Sequence, residues 1–315
     1  MTTHKWAPAL LAGVVGLMAF AGRAAAQAPA APAKPAAVVN GEPISLAEVD
    51  LLIRRQGPTA VQLPEGKMRD LRNATLSMLI DSLLQAQYLR QKGPRIDAAT
   101  VDKAVAEFAE GLKKQGKALP DFIKEMGQTE AEFRQDMTNV LQWQAYVQAR
   151  LHDDDVKRFY DENKDFFDGV TVRVSHIWLV LPEKASEAER QQARNKLLAI
   201  RQEIVSGKLD FAEAAKKNSQ CQSAPNGGDL GYIQRKFMVE EPFAKAAFAL
   251  QPGQISDVVQ TDFGLHLIKV TDRKPGTPSD YNAIKDKVFA MAVADLRANL
   301  LMQLRKTAKV EINLP

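Results

Sequence analysis

The chain has 315 residues, 42 Lys and Arg against 38 Asp and Glu, a net charge of +4, and one cysteine. One cysteine excludes an internal disulfide framework. The basic residues form doublets such as Lys113-Lys114 and Lys216-Lys217 but no longer block, which speaks for solvated helix faces rather than a nucleic-acid surface. The length suits two domains.

The N-terminus reads as an address. His4 and Lys5 precede an apolar run, Ala9 to Phe20, that is short for a membrane span. Ala24-Ala25-Ala26 then offers small residues to a signal peptidase, so the pattern predicts cleavage before Gln27 rather than a retained anchor. Lipid attachment would need a cysteine just after the run, and the only one is Cys221. The expectation is therefore a periplasmic protein that is not a lipoprotein, with no membrane span after cleavage. Removing residues 1–26 takes away Lys5 and Arg23 and leaves a net charge of +2. Residues 27–37, QAPAAPAKPAA, read as a Pro/Ala tether with nothing to bury.

Val38 to Ile44 reads as a short strand broken by the Asn40-Gly41 turn signal. Ser45-Leu46-Ala47-Glu48 is a capping box that opens a helix ending near Gly57. A longer helix is expected over 66–92, with Leu76, Leu79, Ile80, Leu83 and Leu84 at helical spacing and Gly93-Pro94 as its stop. Asp97 caps a helix striped by Val101, Val105, Phe108 and Leu112. Thr129 to Glu132 forms a second capping box, before a helix carrying Phe133, Met137, Val140, Leu141 and Val147. A further helix is expected from His152 to about Phe166. The acids Asp153, Asp154 and Asp155 at its start suit the helix dipole, which explains them without a metal.

After a strand near 170–178, Ser186 to Glu189 supplies a third capping box and a helix to about Ser206. A short helix over 210–218, a strand at 230–233, a helix near 242–249 and strands near 256–260 and 265–271 follow. Strands and helices of mixed order in so few residues suggest an α+β domain with an antiparallel-rich sheet. Lys274 to Pro278 reads as a hinge. Ser279 is expected to cap a helix to about Lys306, whose wide apolar face needs partner helices. Val310 to Leu314 alternates like a strand, best placed by pairing with Ala37 to Asn40. The domains expected are thus a helical module at 38–166, an α+β domain at 169–273 inserted in it, and a returning segment at 279–315.

The stretch Cys221 to Leu250, CQSAPNGGDLGYIQRKFMVEEPFAKAAFAL, lies between two strands that each carry a histidine, His176 and His266. On composition, Cys221 could be buried and inert, free to pair with another molecule, or placed for function. The ordered set resembles the parvulin peptidyl-prolyl cis/trans isomerases, over about residues 170–273. VVNGEPIS, followed by helices and placed between a signal peptide and such a domain, resembles the N-terminal chaperone region of SurA- and PrsA-type foldases.

The resemblance implies an exported isomerase and foldase acting on X-Pro bonds of unfolded proteins, without a cofactor or metal. It implies catalytic positions at His176, Cys221, Thr261 and His266, and a proline-binding set of Leu230, Met238, Phe243 and Phe263. Read by themselves, the apolar members could equally be core, and each histidine a satisfied structural residue. Two departures stand out: Gln220 precedes Cys221 where an acid is frequent, and Val239-Glu240-Glu241 adds about one residue between Met238 and Phe243. The connection Leu181 to Ser186 is short and holds one lysine, so selection for a phosphorylated residue before proline is not expected. An alternative is a holdase whose isomerase domain is inactive. Gly227-Gly228 reads as a turn, and no dinucleotide or phosphate-loop pattern is present.

Overall fold

The computed structural model describes residues 34–55, 57, 63–182 and 184–314. The expected signal peptide and most of the tether lie outside the described residues. The described residues form two compact units, one from those within 1–155 together with 290–314, the other from those within 156–289.

The first unit is helical, with one small sheet. β1 (Ala37–Val39) turns through Asn40 and Gly41 into β2 (Glu42–Ile44). Asn40 at φ 50° and Gly41 at φ 85° give both turn positions the left-handed conformation that tight hairpins require. β7 (Val310–Ile312) pairs antiparallel with the other edge of β1, Ala37 opposite Ile312, giving the order β2-β1-β7. Asn40 fastens this return, because its side chain accepts from the Lys309 N–H at 2.9 Å and donates to Gln87 at 2.8 Å. Ala36 and Ala37 are fully buried here, so the last two residues expected in the tether belong to the core. Their small side chains let the sheet lie close to its neighbours.

α1 (Leu46–Arg55) and α2 (Glu65–Lys92) cover the sheet. Val49, Leu52 and Ile53 meet Leu76, Leu79, Ile80 and Leu84, joined by Leu301 of α11 (Tyr281–Thr307). α3 (Ala98–Lys114), α4 (Leu119–Glu125) and α5 (Glu130–Gln148) build a second cluster from Val101, Val105, Ile123, Phe133 and Met137. α4 has no counterpart in the sequence reading, since seven residues hold too little periodicity to register. No helix among the described residues is long and apolar enough to cross a membrane.

In the second unit the expected helix from His152 to Phe166 is two helices, α6 (Asp153–Glu162) and α7 (Lys164–Phe167). Asn163 breaks it with φ −114° and ψ 23°, its amide donating to the Phe159 carbonyl. The unit boundary at Asp155 places most of α6 here, ahead of the expected start at 169.

A four-stranded antiparallel sheet follows, in the order β4-β3-β6-β5, from β3 (Thr171–Val180), β4 (Asp229–Gln234), β5 (Val259–Thr261) and β6 (Gly264–Lys274). α8 (Glu187–Val205) and α9 (Phe211–Asn218) bury one face through Leu197, Ile200 and Phe211 on Ile177, Leu179, Leu265 and Leu267. α10 (Glu241–Phe248) covers the other through Phe243, Ala247 and Phe248 on Val172, Val174, Ile268 and Val270. β5 is shorter than expected; Ile255 makes only an isolated bridge to Lys269.

Ser279 does not cap α11. Its hydroxyl and N–H both donate to Asp168, at 2.7 and 2.8 Å, and the Tyr160 hydroxyl donates to its carbonyl. The cap is Asp280, whose carboxylate accepts the Asn282 N–H at 3.0 Å.

Candidate active site

The two histidines come from adjacent central strands. His176 of β3 stands opposite Ile268, and His266 of β6 stands opposite Trp178. Side chains alternate along a strand, so His176, Trp178 and His266 share the face that α10 covers. The His176 and His266 Nδ1 atoms lie 3.3 Å apart, and His266 Nε2 meets the Thr261 hydroxyl at 2.9 Å. That hydroxyl also accepts the Phe263 N–H at 3.2 Å, which fixes its position on the β5–β6 turn. In this chain of contacts one Nδ1 donates and the other accepts, so the two tautomers are set together.

Burial pushes both rings down to about 4, and in His266 the neighbouring His176 adds to the effect. Both are therefore neutral at pH 7. Phe243 closes over them edge-on, 5.7 Å from His176 and 5.4 Å from His266, while Trp178 lies parallel to His266 at 6.1 Å. Phe243 is itself only 3% exposed, a core residue as much as a wall. The His176 Nε2 is buried with no hydrogen-bond partner, as is the Ser223 hydroxyl.

Cys221 sits on a loop that lies along β3. The Gln220 N–H donates to the Trp178 carbonyl at 2.8 Å, and the Gln220 side-chain oxygen accepts the Val180 N–H at 2.6 Å. Farther on, His176 N–H donates to the Gly228 carbonyl at 2.9 Å. A Cβ on Gly228 would lie 2.2 Å from the His176 carbonyl oxygen, and its φ is 80°, so close approach and conformation both demand glycine. Gln220 thus ties the loop to the strand through a neutral side-chain hydrogen bond. Cys221 is half-buried and free.

Leu230, Met238 and Phe263 are all exposed apolar side chains, at 36%, 55% and 63%. The 235–241 loop carrying Met238 is tightly built. Arg235 forms a two-pronged pair with Glu241 at 2.9 and 2.5 Å, and the Gln234 N–H points to the Met238 sulfur. Glu240 accepts the Asp262 N–H at 3.0 Å, tying this loop to the turn that bears Thr261 and Phe263. The sequence reading missed Phe237, which is 82% exposed with φ 71°, a conformation unusual for a bulky residue. The only sequence signal was the added residue in this loop.

Comparison with known proteins gives the family. Residues 176–272 match the family described as Rotamase, PPIC-type PPIASE domain, and residues 2–147 match SurA_N_3, SurA-like N-terminal domain. Foldase protein PrsA of Geobacillus sp. (strain WCH70) is 34% identical over 218 residues, 67% of this chain and 71% of that protein. The chain belongs to the PrsA-type parvulin foldases. The chain is also 50% identical over 82 residues to peptidyl-prolyl cis-trans isomerase Pin1 of Arabidopsis thaliana, covering 26% of this chain and 68% of that one. Chaperone SurA of Methylobacillus flagellatus is 29% identical over 237 residues, 71% of this chain and 52% of the relative. The chain therefore spans about half the length of the SurA chaperones it matches. The solved PrsA of Bacillus anthracis aligns with 73% of this chain and 96% of its own, at 25% identity and a TM-score of 0.40.

Proposed function

We propose that this foldase is exported and catalyses cis/trans isomerisation of X-Pro bonds in unfolded proteins, while its helical unit holds them. Rotation about an X-Pro bond interrupts amide resonance, so a catalyst must seat the ring, strip water and favour the twisted amide, with no covalent step. Leu230, Met238, Phe243 and Phe263 are the apolar seat. Cys221 is a polarisable neighbour of the twisting carbonyl. His176, His266 and Thr261 hold the floor in one hydrogen-bonding state.

The observation that carries this reading is the histidine pair, buried, neutral and closed over by Phe243. Such rings suit a bracing role better than proton transfer, which calls for a pKa near the working pH. Export rests on the residue pattern at 1–26.

A proline-isomerisation assay on the purified protein with short X-Pro peptides tests the proposal. Acceleration with a flat profile between pH 6 and 8 is expected. No acceleration sinks the enzymatic reading, and a profile breaking near pH 6.5 sinks the bracing role. Suppression of aggregation of an unfolded client, measured beside it, tests the holding role.

A further inference from the structure

The helical unit contains a cavity of about 130 Å³, roughly the size of an engineered apolar cavity that admits benzene. β2, α1, α2 and α5 form it. Its apolar lining is Pro43, Ile44, Leu79, Leu83 and Ala86, of which Ile44, Leu79 and Ala86 are buried. Its walls carry four carboxylates, Glu42, Glu48, Glu132 and Asp136, against one guanidinium, Arg90, which bonds Glu42 at 2.6 Å.

Two polar side chains in the lining, Asp136 and Asn139, are more than nine-tenths buried. The Asn139 oxygen accepts from Gln135 at 3.1 Å, and Asp136 accepts from the Gln128 amide at 2.6 Å. A carboxylate withdrawn from water is costly unless a cation meets it. An apolar hollow with a few convergent polar groups is the usual form of a binding site.

We propose that this groove binds a lysine or arginine side chain presented between apolar neighbours by an extended, unfolded client segment. The stem of the long side chain lies on Leu79, Leu83 and Ala86, and its charge meets the carboxylates at the walls. Glu48 and Glu132 keep their orientation because each is fixed by a capping box at the start of its helix, to Ser45 and Thr129. Burial holds Asp136 up at about 7, against the Gln128 hydrogen bond and Arg55, with Glu132 adding to the rise; an arriving cation draws off its proton. The inference rests on the holding role proposed above and deepens it, naming the client chemistry this unit selects.

The test uses proline-free fluorescein-labelled peptides, Ala-Leu-Xaa-Leu-Ala, with Xaa lysine, norleucine or glutamate, read by fluorescence anisotropy on the full chain. The lysine peptide should bind at least fivefold tighter than the norleucine peptide, with the glutamate peptide weakest and the preference shrinking as salt rises. Asp136→Asn should bring the lysine preference down towards one. Ser82→Lys, which sets a cation of the chain's own into the lining, should weaken lysine-peptide binding tenfold without depending on how Asp136→Asn folds. Equal binding of lysine and norleucine peptides, absence of binding at millimolar protein, or binding untouched by Ser82→Lys overturns the proposal. Proline-free peptides keep this result apart from isomerase activity. Aggregation suppression that persists without a lysine preference refutes the groove and leaves the holding role standing.

Discussion

Acidification should destabilise the isomerase unit by protonating its histidine pair. Each ring has an ordinary value near 6.5 and a native value of about 4. Between those values the unfolded chain binds more protons than the native one, so stability rises with pH across the window. The contribution is complete above pH 6.5 and is lost as pH falls towards 4. Taking the pH from 7.5 to 5 costs each ring about 2 kcal/mol, and the pair about 2–4 kcal/mol because the two titrations interact. A domain of this kind holds only about 5–15 kcal/mol in total, so the loss is large.

Two measurements check this. Histidine NMR titration should leave the His176 and His266 signals unmoved down to about pH 5. Urea unfolding at pH 7.5, 6 and 5, followed through Trp178 in a Trp6→Phe, Trp143→Phe variant, should give a falling midpoint. In the His176→Leu, His266→Leu double variant the fall should vanish. Titration of both rings near 6.5, or a stability unchanged from pH 7.5 to 5, refutes the reasoning.

Asp136 has the opposite sign. Its native value stands above its ordinary 3.8, so stability is greatest below pH 3.8 and is lost as pH rises through 7; Asp136→Asn should gain about 2–4 kcal/mol at pH 8 and nothing at pH 4, read from urea midpoints of the helical unit. Phe243→Ala should cost about 3–5 kcal/mol and Phe243→Leu less, so the leucine variant, kept folded, is the one in which a fall in kcat/KM reports on the proline seat. Gly228→Ala should cost more than about 2 kcal/mol, because its Cβ meets the His176 carbonyl, whereas Gly231→Ala, with φ 74° and open space, should cost only about 1–2 kcal/mol. Equal midpoints for the two glycine variants would show that the close approach at Gly228 carries no weight.

Local signals transferred well from sequence to structure. The capping boxes at Ser45, Thr129 and Ser186 all form, each with the glutamate three residues on bonded back to the cap. They are readable because donor and acceptor lie within one turn. Ser279 was expected to cap its helix on residue type alone, with no glutamate three residues on, but its hydroxyl donates to Asp168, 111 residues earlier, and no local pattern reports that competition. The two histidines were legible as a pair because alternation along each strand fixes a face; their shared depression was not, since it depends on how fully Phe243 and α10 cover them. The groove around Asp136 draws its lining from four elements, and its carboxylates read singly as capping or surface acids. Phe237 escaped for a related reason: the sequence shows one added residue, while exposure and φ arise only when Arg235 and Glu241 close the loop.

The pairing of β1 with β7 also has a consequence for the order of events in biosynthesis. Residues 37–39 leave the ribosome, and any translocation pore, some 270 residues before their partner at 310–312. Until then β1 has β2 alone, and a lone two-stranded hairpin is marginal in water. The isomerase unit lies wholly between these strands and can complete its sheet while the helical unit is still waiting. Its early collapse shortens the effective loop that β7 must close, lowering the entropic cost of that last step. A chain stalled before residue 310 should therefore protect the isomerase unit from protease while leaving the N-terminal helices open to cleavage.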